Sequence, residues 1–110
     1  MNISSEQKSN YDLVKVEGRI DSSNAEELQS AFEKIFKAGR YNIAFDMSGL
    51  EFMSSRGIWV LTETQREISI NQGELKLVAV PKKIYDTLEM VALTGHFDMY
   101  ADEGSAAQSF

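Results

Sequence analysis

One stretch constrains the fold of this chain more than any other, the segment 45–58, which reads FDMSGLEFMSSRGI. Its first residues end an apolar run that is typical of a buried strand. Ser48 and Gly49 then predict a tight polar turn, and a second short apolar step leads to Ser54 and Ser55. Because hydroxyl residues directly before apolar residues at helical spacing predict a helix start, the stretch indicates a strand that feeds a helix. That is the repeating unit of α/β proteins.

Strand and helix patterns alternate along the rest of the chain. Alternating or continuous apolar residues predict strands over 3–7, 11–17, 41–47, 74–80 and 99–101. Helical spacing predicts helices over 23–38, 58–71 and 81–92 and a terminal turn or two within 104–110. The order β-β-α-β-α-β-α-β-α predicts an α/β fold, with a four- or five-stranded mixed, largely parallel sheet packed with about four helices.

Local signals predict where the first and third helices begin. Ser23 and Glu26 match a capping box, with Ser23 as the N-cap residue, and Gly39 is placed to end that helix. Pro81, the only proline, is predicted at the first position of the third helix. The buried face of the third helix is predicted to consist of four apolar residues, namely Ile84, Leu88, Val91 and Ala92.

Composition excludes several classes of function. The 110 residues, 1–110, predict one domain, and the absence of cysteine together with a single histidine, His96, argues against a metal site. A net charge of −6 argues against nucleic-acid binding. No G-x-S-x-G elbow or phosphate-loop fingerprint is present, so we expect no enzymatic activity. The N-terminal residues lack an apolar signal-peptide core, and no apolar run could insert into a membrane, so we expect a cytoplasmic protein.

The two serines at the start of the second helix are the candidate functional residues. A serine at this position most often only caps the helix. The first helical turn nevertheless presents free backbone N–H groups and the positive end of the helix dipole, where a phosphate is readily accommodated. The residues alone therefore leave open a capping role and a modification site for Ser54 and Ser55.

Four segments resemble the motifs of STAS domains, the family of bacterial anti-sigma factor antagonists. Residues 18–21 (GRID) are similar to its G-x-(L/I)-D segment, and residues 46–50 (DMSGL) to its D-(L/M)-S-x-(L/V) strand end. Residues 52–58 (FMSSRGI) resemble F-(M/I)-D-S-(S/A)-G-(L/I), and residues 73–77 (GELKL) resemble the strand that follows. The order and spacing of all four motifs imply a single STAS domain.

The resemblance implies a phosphorylation-controlled partner switch that regulates sigma-factor-dependent transcription. The family's phosphorylated serine falls on Ser55, with Ser54 as a second candidate. The implied partners are an anti-sigma factor that is also a serine kinase, which binds the unmodified protein and phosphorylates it with ATP, and a phosphatase that resets it. No cofactor is implied. The implied contact residues are Asp21, Ser22, Ser23, Asn24, Ser54, Arg56, Gly57 and Trp59.

The chain departs from the family pattern around Ser55. Ser54 replaces the family's acidic residue, Arg56 replaces a small one, and Trp59 replaces a glycine. Arg56 is predicted either to hold a phosphate on Ser55 or to contact an acidic group of a partner. Trp59 is predicted either to join a second buried stripe or to be an exposed anchor for a partner. These departures leave a second function open, a STAS scaffold or an accessory subunit of a signalling complex or of a lipid-transport ATPase.

Overall fold

The computed structural model describes all residues, 1–110, as a five-stranded sheet with four α-helices. The strands are β1 (Asn2–Gln7), β2 (Asp12–Ile20), β3 (Asn42–Met53), β4 (Glu74–Val78) and β5 (Asp98–Tyr100). The helices are α1 (Ala25–Lys37), α2 (Ser55–Ile70), α3 (Lys82–Met90) and α4 (Glu103–Ala107), with a 3-10 turn at Thr94–His96. The strand order is β1-β2-β3-β4-β5, in which only the β1–β2 pair is antiparallel. The predicted α/β fold and element order are confirmed.

Helices cover both faces of the sheet. The main core lies between the sheet and helices α1, α2 and α3, and it contains Phe32, Phe45, Leu61 and Leu88. A smaller cluster on the other face is closed by Ala106 of α4. Because successive side chains of a strand point to opposite faces, β3 supplies both cores from one continuous apolar run. No helix is long and apolar enough to cross a membrane.

Strand β3 is longer than predicted. The turn expected at Ser48 and Gly49 is absent, since the strand continues through both residues to Met53. The β2–β3 register shifts at two places, between Lys15 and Glu17 and between Gly18 and Arg19. These irregularities keep the longer β3 paired with the shorter β2. A Cβ atom on Gly49 would lie 2.8 Å from Cγ of Glu17, so the glycine lets the two strands approach each other here.

Two predictions about the third helix are wrong. Pro81 precedes α3 as its N-cap residue, one position before the predicted one, and the helix ends at Met90. Val91 is 51 % exposed and Ala92 is exposed, because the chain reverses at Ala92 with a φ of +59°. Ile84 and Leu88 are buried as predicted. Strand β4 ends at Val78, since Ala79 has a left-handed φ of +53°.

Gly73 lets the connection between α2 and β4 pack closely against the backbone just before β3. A Cβ atom on this residue would lie 1.9 Å from the backbone oxygen of Tyr41. The neighbouring Glu74 N–H donates a hydrogen bond of 3.1 Å to that same oxygen. The backbone contact leaves no space for a side chain, although Gly73 itself has no unusual φ.

We expect Gly73→Ala to destabilise the protein by about 1–3 kcal/mol, because the added methyl group can be accommodated only if the backbone moves. Urea unfolding measures the change. Gly95→Ala is the matched control: nothing lies within 4 Å of its Cβ position, and we expect a change below about 0.5 kcal/mol. Equal stabilities of the two variants would contradict the contact.

Candidate functional site

The parallel ends of β2 and β3 bring two sequence segments together. Arg19 pairs with Phe52 and Ile20 with Met53 in the last two positions of the shared register. The pairing is extended by the Ser54 N–H, which donates a hydrogen bond of 2.8 Å to the Ile20 oxygen. As a result the loop before α1 and the first turn of α2 are neighbours. We call the residues Asp21–Asn24 and Ser54–Gly57 the rim.

The two serines of the rim have different roles. Ser54 is the N-cap of α2, and its hydroxyl accepts a hydrogen bond of 3.2 Å from the Gly57 N–H. Ser55 is the first residue of the helix and is exposed. The N–H groups of Ser55 and Arg56 belong to the first turn, which has no intrahelical acceptors. The geometry thus assigns the cap to Ser54 and leaves the Ser55 hydroxyl facing solvent.

Gly57 allows α2 to begin directly against the strand ends. The residue is buried, and a Cβ atom on it would lie 2.8 Å from Cγ2 of Ile20 and 2.9 Å from Cγ of Met53. Any larger side chain would push the first turn of α2 away from β2. Gly57 therefore shapes the rim by packing, and it offers no side chain to a partner.

The capping box predicted at Ser23 and Glu26 is wrong. Helix α1 begins at Ala25, and the Ser23 hydroxyl donates to Asp21 Oδ1 at 2.6 Å instead of capping the helix. Asn24 holds the loop from the other side, since its Oδ1 accepts the Asp21 N–H and its Nδ2 donates to the Arg19 oxygen, both at 2.9 Å. The Asp21 carboxylate holds Ser23 in the loop ahead of the helix, because both the hydroxyl and the backbone N–H of Ser23 donate to it.

These bonds also favour the ionised form of Asp21. The hydroxyl and backbone N–H of Ser23 hold the pKa of the Asp21 carboxyl below its ordinary value of 3.8. The loop gains stability from the charged carboxylate above that value, and the gain is lost as the pH falls. Ser22, the remaining residue of this loop, is exposed. The rim consequently presents one fixed carboxylate beside the free hydroxyl of Ser55.

Two arginines lie over exposed aromatic rings near the ends of β2 and β3: Arg56 over Trp59 within α2, and Arg19 of β2 over Phe52 of β3. The Arg56 guanidinium carbon is 4.7 Å from the Trp59 ring centroid, and that of Arg19 is 4.3 Å from the Phe52 ring centroid. Trp59 is 44 % exposed and Phe52 is 38 % exposed. The buried alternative for Trp59 is therefore wrong. Neither arginine makes a salt bridge, so both charges remain available to an acidic partner group.

Arg19 and Phe52 were not predicted as site residues. The signal lies in strand alternation: Ile20 and Met53 are buried in the main core, so the preceding residue of each strand must face away from it. Parallel pairing then sets these two outward residues opposite each other. The predicted rim residues, by contrast, all lie at the carboxyl ends of β2 and β3, where their motifs place them.

The rim has the chemistry of a docking surface that can accept an anion. The first turn of α2 contains no acidic residue, so its positive dipole end is not neutralised by a side chain. No group of three or more His, Asp or Glu side chains could hold a metal ion anywhere in the protein. The rim offers the free hydroxyl of Ser55 and the unpaired guanidinium group of Arg56, and the exposed ring of Trp59 follows it on α2.

Comparison with known proteins shows the family of this chain. A sequence model described as the STAS domain matches residues 2–106. The protein BtrV of Bordetella bronchiseptica, named as an anti-sigma factor antagonist, is 24 % identical over 95 residues, which cover 86 % of this chain and 82 % of BtrV.

Solved structures share the fold. A crystal structure described as an anti-sigma factor antagonist from Thermotoga maritima superposes with a TM-score of 0.91 at 18 % identity, over 97 % of this chain and 92 % of that one. SpoIIAA of Bacillus, solved in its phosphorylated form, superposes with a TM-score of 0.78 at 15 % identity, over 99 % and 100 % of the two chains. At these identities the structural likeness establishes the fold.

The different roles of Ser54 and Ser55 are tested by removing each hydroxyl in turn. We expect Ser54→Ala to lower the free energy of unfolding by about 1 kcal/mol, because the Gly57 N–H loses its acceptor. We expect Ser55→Ala to change it by less than about 0.5 kcal/mol, as for other exposed positions. Chemical denaturation measures both values. A larger loss for Ser55→Ala than for Ser54→Ala would overturn the assignment of the cap.

Proposed function

Because the chain belongs to the STAS domain family, we propose that it is an anti-sigma factor antagonist controlled by phosphorylation of Ser55. In this proposal the rim binds an anti-sigma factor that is also a serine kinase, and the sigma factor held by that partner is released. The domain itself catalyses nothing. Two relatives support the proposal: BtrV is named as an anti-sigma factor antagonist, and SpoIIAA has been solved in a phosphorylated form.

The observation that carries the proposal is the exposed hydroxyl of Ser55 at the first position of α2. Ser54 is partly buried, and its oxygen already accepts the hydrogen bond that caps the helix. A kinase can therefore reach Ser55 without disturbing the start of α2, whereas transfer to Ser54 would remove a structural hydrogen bond. For this reason we assign Ser55, and not Ser54, as the acceptor.

A phosphate on Ser55 would act on binding and leave the fold unchanged. It adds a charge of about −1.5 to −2 beside a helix N-terminus, where free N–H groups and the dipole stabilise it. Arg56 is the next residue and carries an unpaired guanidinium that can reach such a group. The same charge inside a packed interface loses its hydration and costs several kcal/mol. The modified rim is then released by its partner.

The unmodified rim is suited to a partner that combines acidic and apolar groups. Trp59, which follows the rim on α2, provides the aromatic area that dominates many interfaces, and Arg56 provides charge for an acidic residue. Complementary charges of this kind accelerate association and align the partners.

Phosphorylation is tested by incubating the protein with a cognate anti-sigma factor kinase and ATP. Intact-mass measurement should show the addition of one phosphate to the wild type and to Ser54→Ala, and none to Ser55→Ala. Ser55→Glu should weaken binding of the kinase by more than about tenfold, since it places a charge in the interface. Stable binding without any phosphate transfer would contradict the switch and favour a STAS scaffold.

The role of Trp59 is tested by binding and stability together. We expect Trp59→Ala to weaken partner binding by about 2 kcal/mol, or roughly 30-fold, while the free energy of unfolding changes by less than about 1 kcal/mol. Ile70→Ala is the matched control, because Ile70 is 65 % exposed at the opposite end of the same helix. Isothermal calorimetry and urea unfolding provide the two measurements. A large loss of stability with unchanged affinity would make Trp59 a structural residue.

A further inference from the structure

A groove of about 550 Å³ lies between α1 and α2, in the half of the helix pair that is remote from the rim. One wall is aromatic: the rings of Phe36 and Tyr41 are stacked, with centroids 5.2 Å apart and planes 11° from parallel. Phe32, only 1 % exposed, lies at the base. Tyr41 is held in place because its backbone oxygen accepts the Glu74 N–H and contacts Gly73. The wall is thus formed before any ligand arrives.

Thr64 of α2 brings an unpaired hydroxyl to this groove. The residue is 5 % exposed and lines the groove, yet its hydroxyl takes part in none of the side-chain hydrogen bonds. Thr62, two positions earlier, donates to the Ile58 oxygen at 2.9 Å, as threonines in helices commonly do. No polar side-chain atom sealed from solvent lacks a partner in this protein. The Thr64 hydroxyl must therefore open onto the groove.

The charges around the groove are mostly negative. Glu33 on α1 and Glu63 and Glu67 on α2 line it, and none of them makes a salt bridge. Lys37 is the one cation in the lining. Glu33 and Glu67 lie in the C-terminal halves of α1 and α2. The helix dipole is negative at the C-terminal end, so it also favours a positively charged ligand. These carboxylates are too dispersed to hold a metal ion.

We propose that this groove binds a small organic cation, a primary amine carried on an aromatic body. The apolar body would lie against Phe36 and Tyr41, whose ring faces also attract cations. The ammonium group would lie between Glu33 and Glu63 and donate a hydrogen bond to the Thr64 hydroxyl. The volume is that of an ordinary small-molecule site. The site is separate from the rim and does not depend on phosphorylation of Ser55.

The test uses phenethylammonium as the probe and 2-phenylethanol as its neutral counterpart, each titrated into the intact protein at fixed ionic strength. Two-dimensional NMR of the ¹⁵N-labelled protein should show saturable shifts at Phe36, Tyr41 and Thr64 with the amine and much smaller ones with the alcohol. Glu63→Gln should weaken the affinity for the amine by about tenfold, the equivalent of one charged hydrogen bond. Thr64→Val, which preserves the side-chain volume, should weaken it by a smaller factor.

Glu27→Gln is the control, since Glu27 is an exposed carboxylate on α1 outside the groove. Its affinity for the amine should equal that of the wild type. Equal binding of the alcohol and the amine, an equal effect of Glu27→Gln and Glu63→Gln, or no saturable shift at millimolar amine would overturn the proposal. Binding of Nα-acetyl-lysinamide without binding of phenethylammonium would also overturn it, because the groove would then serve a lysine of another protein.

Discussion

The parallel pairing of β2 with β3 is the interaction on which the rest of the structure depends. Ser54 continues the pairing through its hydrogen bond to Ile20, which places the cap of α2 beside the loop that begins α1. Gly57 then lets the first turn of α2 contact both strand ends. The capping hydrogen bond, the exposed Ser55 hydroxyl and the Asp21 loop are all consequences of that register. Two segments about thirty residues apart become one surface because two strands end at the same edge.

The elements of the fold could be predicted from the sequence, while several of their boundaries could not. The apolar spacing of α1 and α2 and the continuous apolar run of β3 are strong signals, because burial on a fixed face leaves little choice of residue type. Ser48 and Gly49 resemble a turn locally, but tertiary pairing with β2 draws them into a bulged strand. Ser23 resembles a cap locally, but its hydroxyl and its N–H donate to the Asp21 carboxylate, and the helix begins two residues later at Ala25. In both cases a contact outside the local pattern decided the outcome.

The candidate site, too, could be predicted only in part. Motifs located the rim residues, since glycine, serine and aspartate at strand ends have specific local roles. They could not show which serine caps α2, because that depends on which of the two hydroxyls accepts the Gly57 N–H. Nor could they indicate the groove between α1 and α2, whose lining comes from two helices and the start of β3. Ser55 and Glu63 are eight residues apart, about 12 Å along one helix. The first turn of α2, which belongs to the rim, and the acidic groove thus share one rigid element.

The contact between Arg56 and Trp59 has an optical consequence. Trp59 is the only tryptophan in the chain, so essentially all of the intrinsic fluorescence excited at long ultraviolet wavelengths originates four residues from Ser55. A guanidinium that leaves the indole face for a phosphate, or a partner that covers the ring, changes the polarity around that fluorophore. The domain therefore carries an internal reporter of the state of its own rim, which needs no dye and no label.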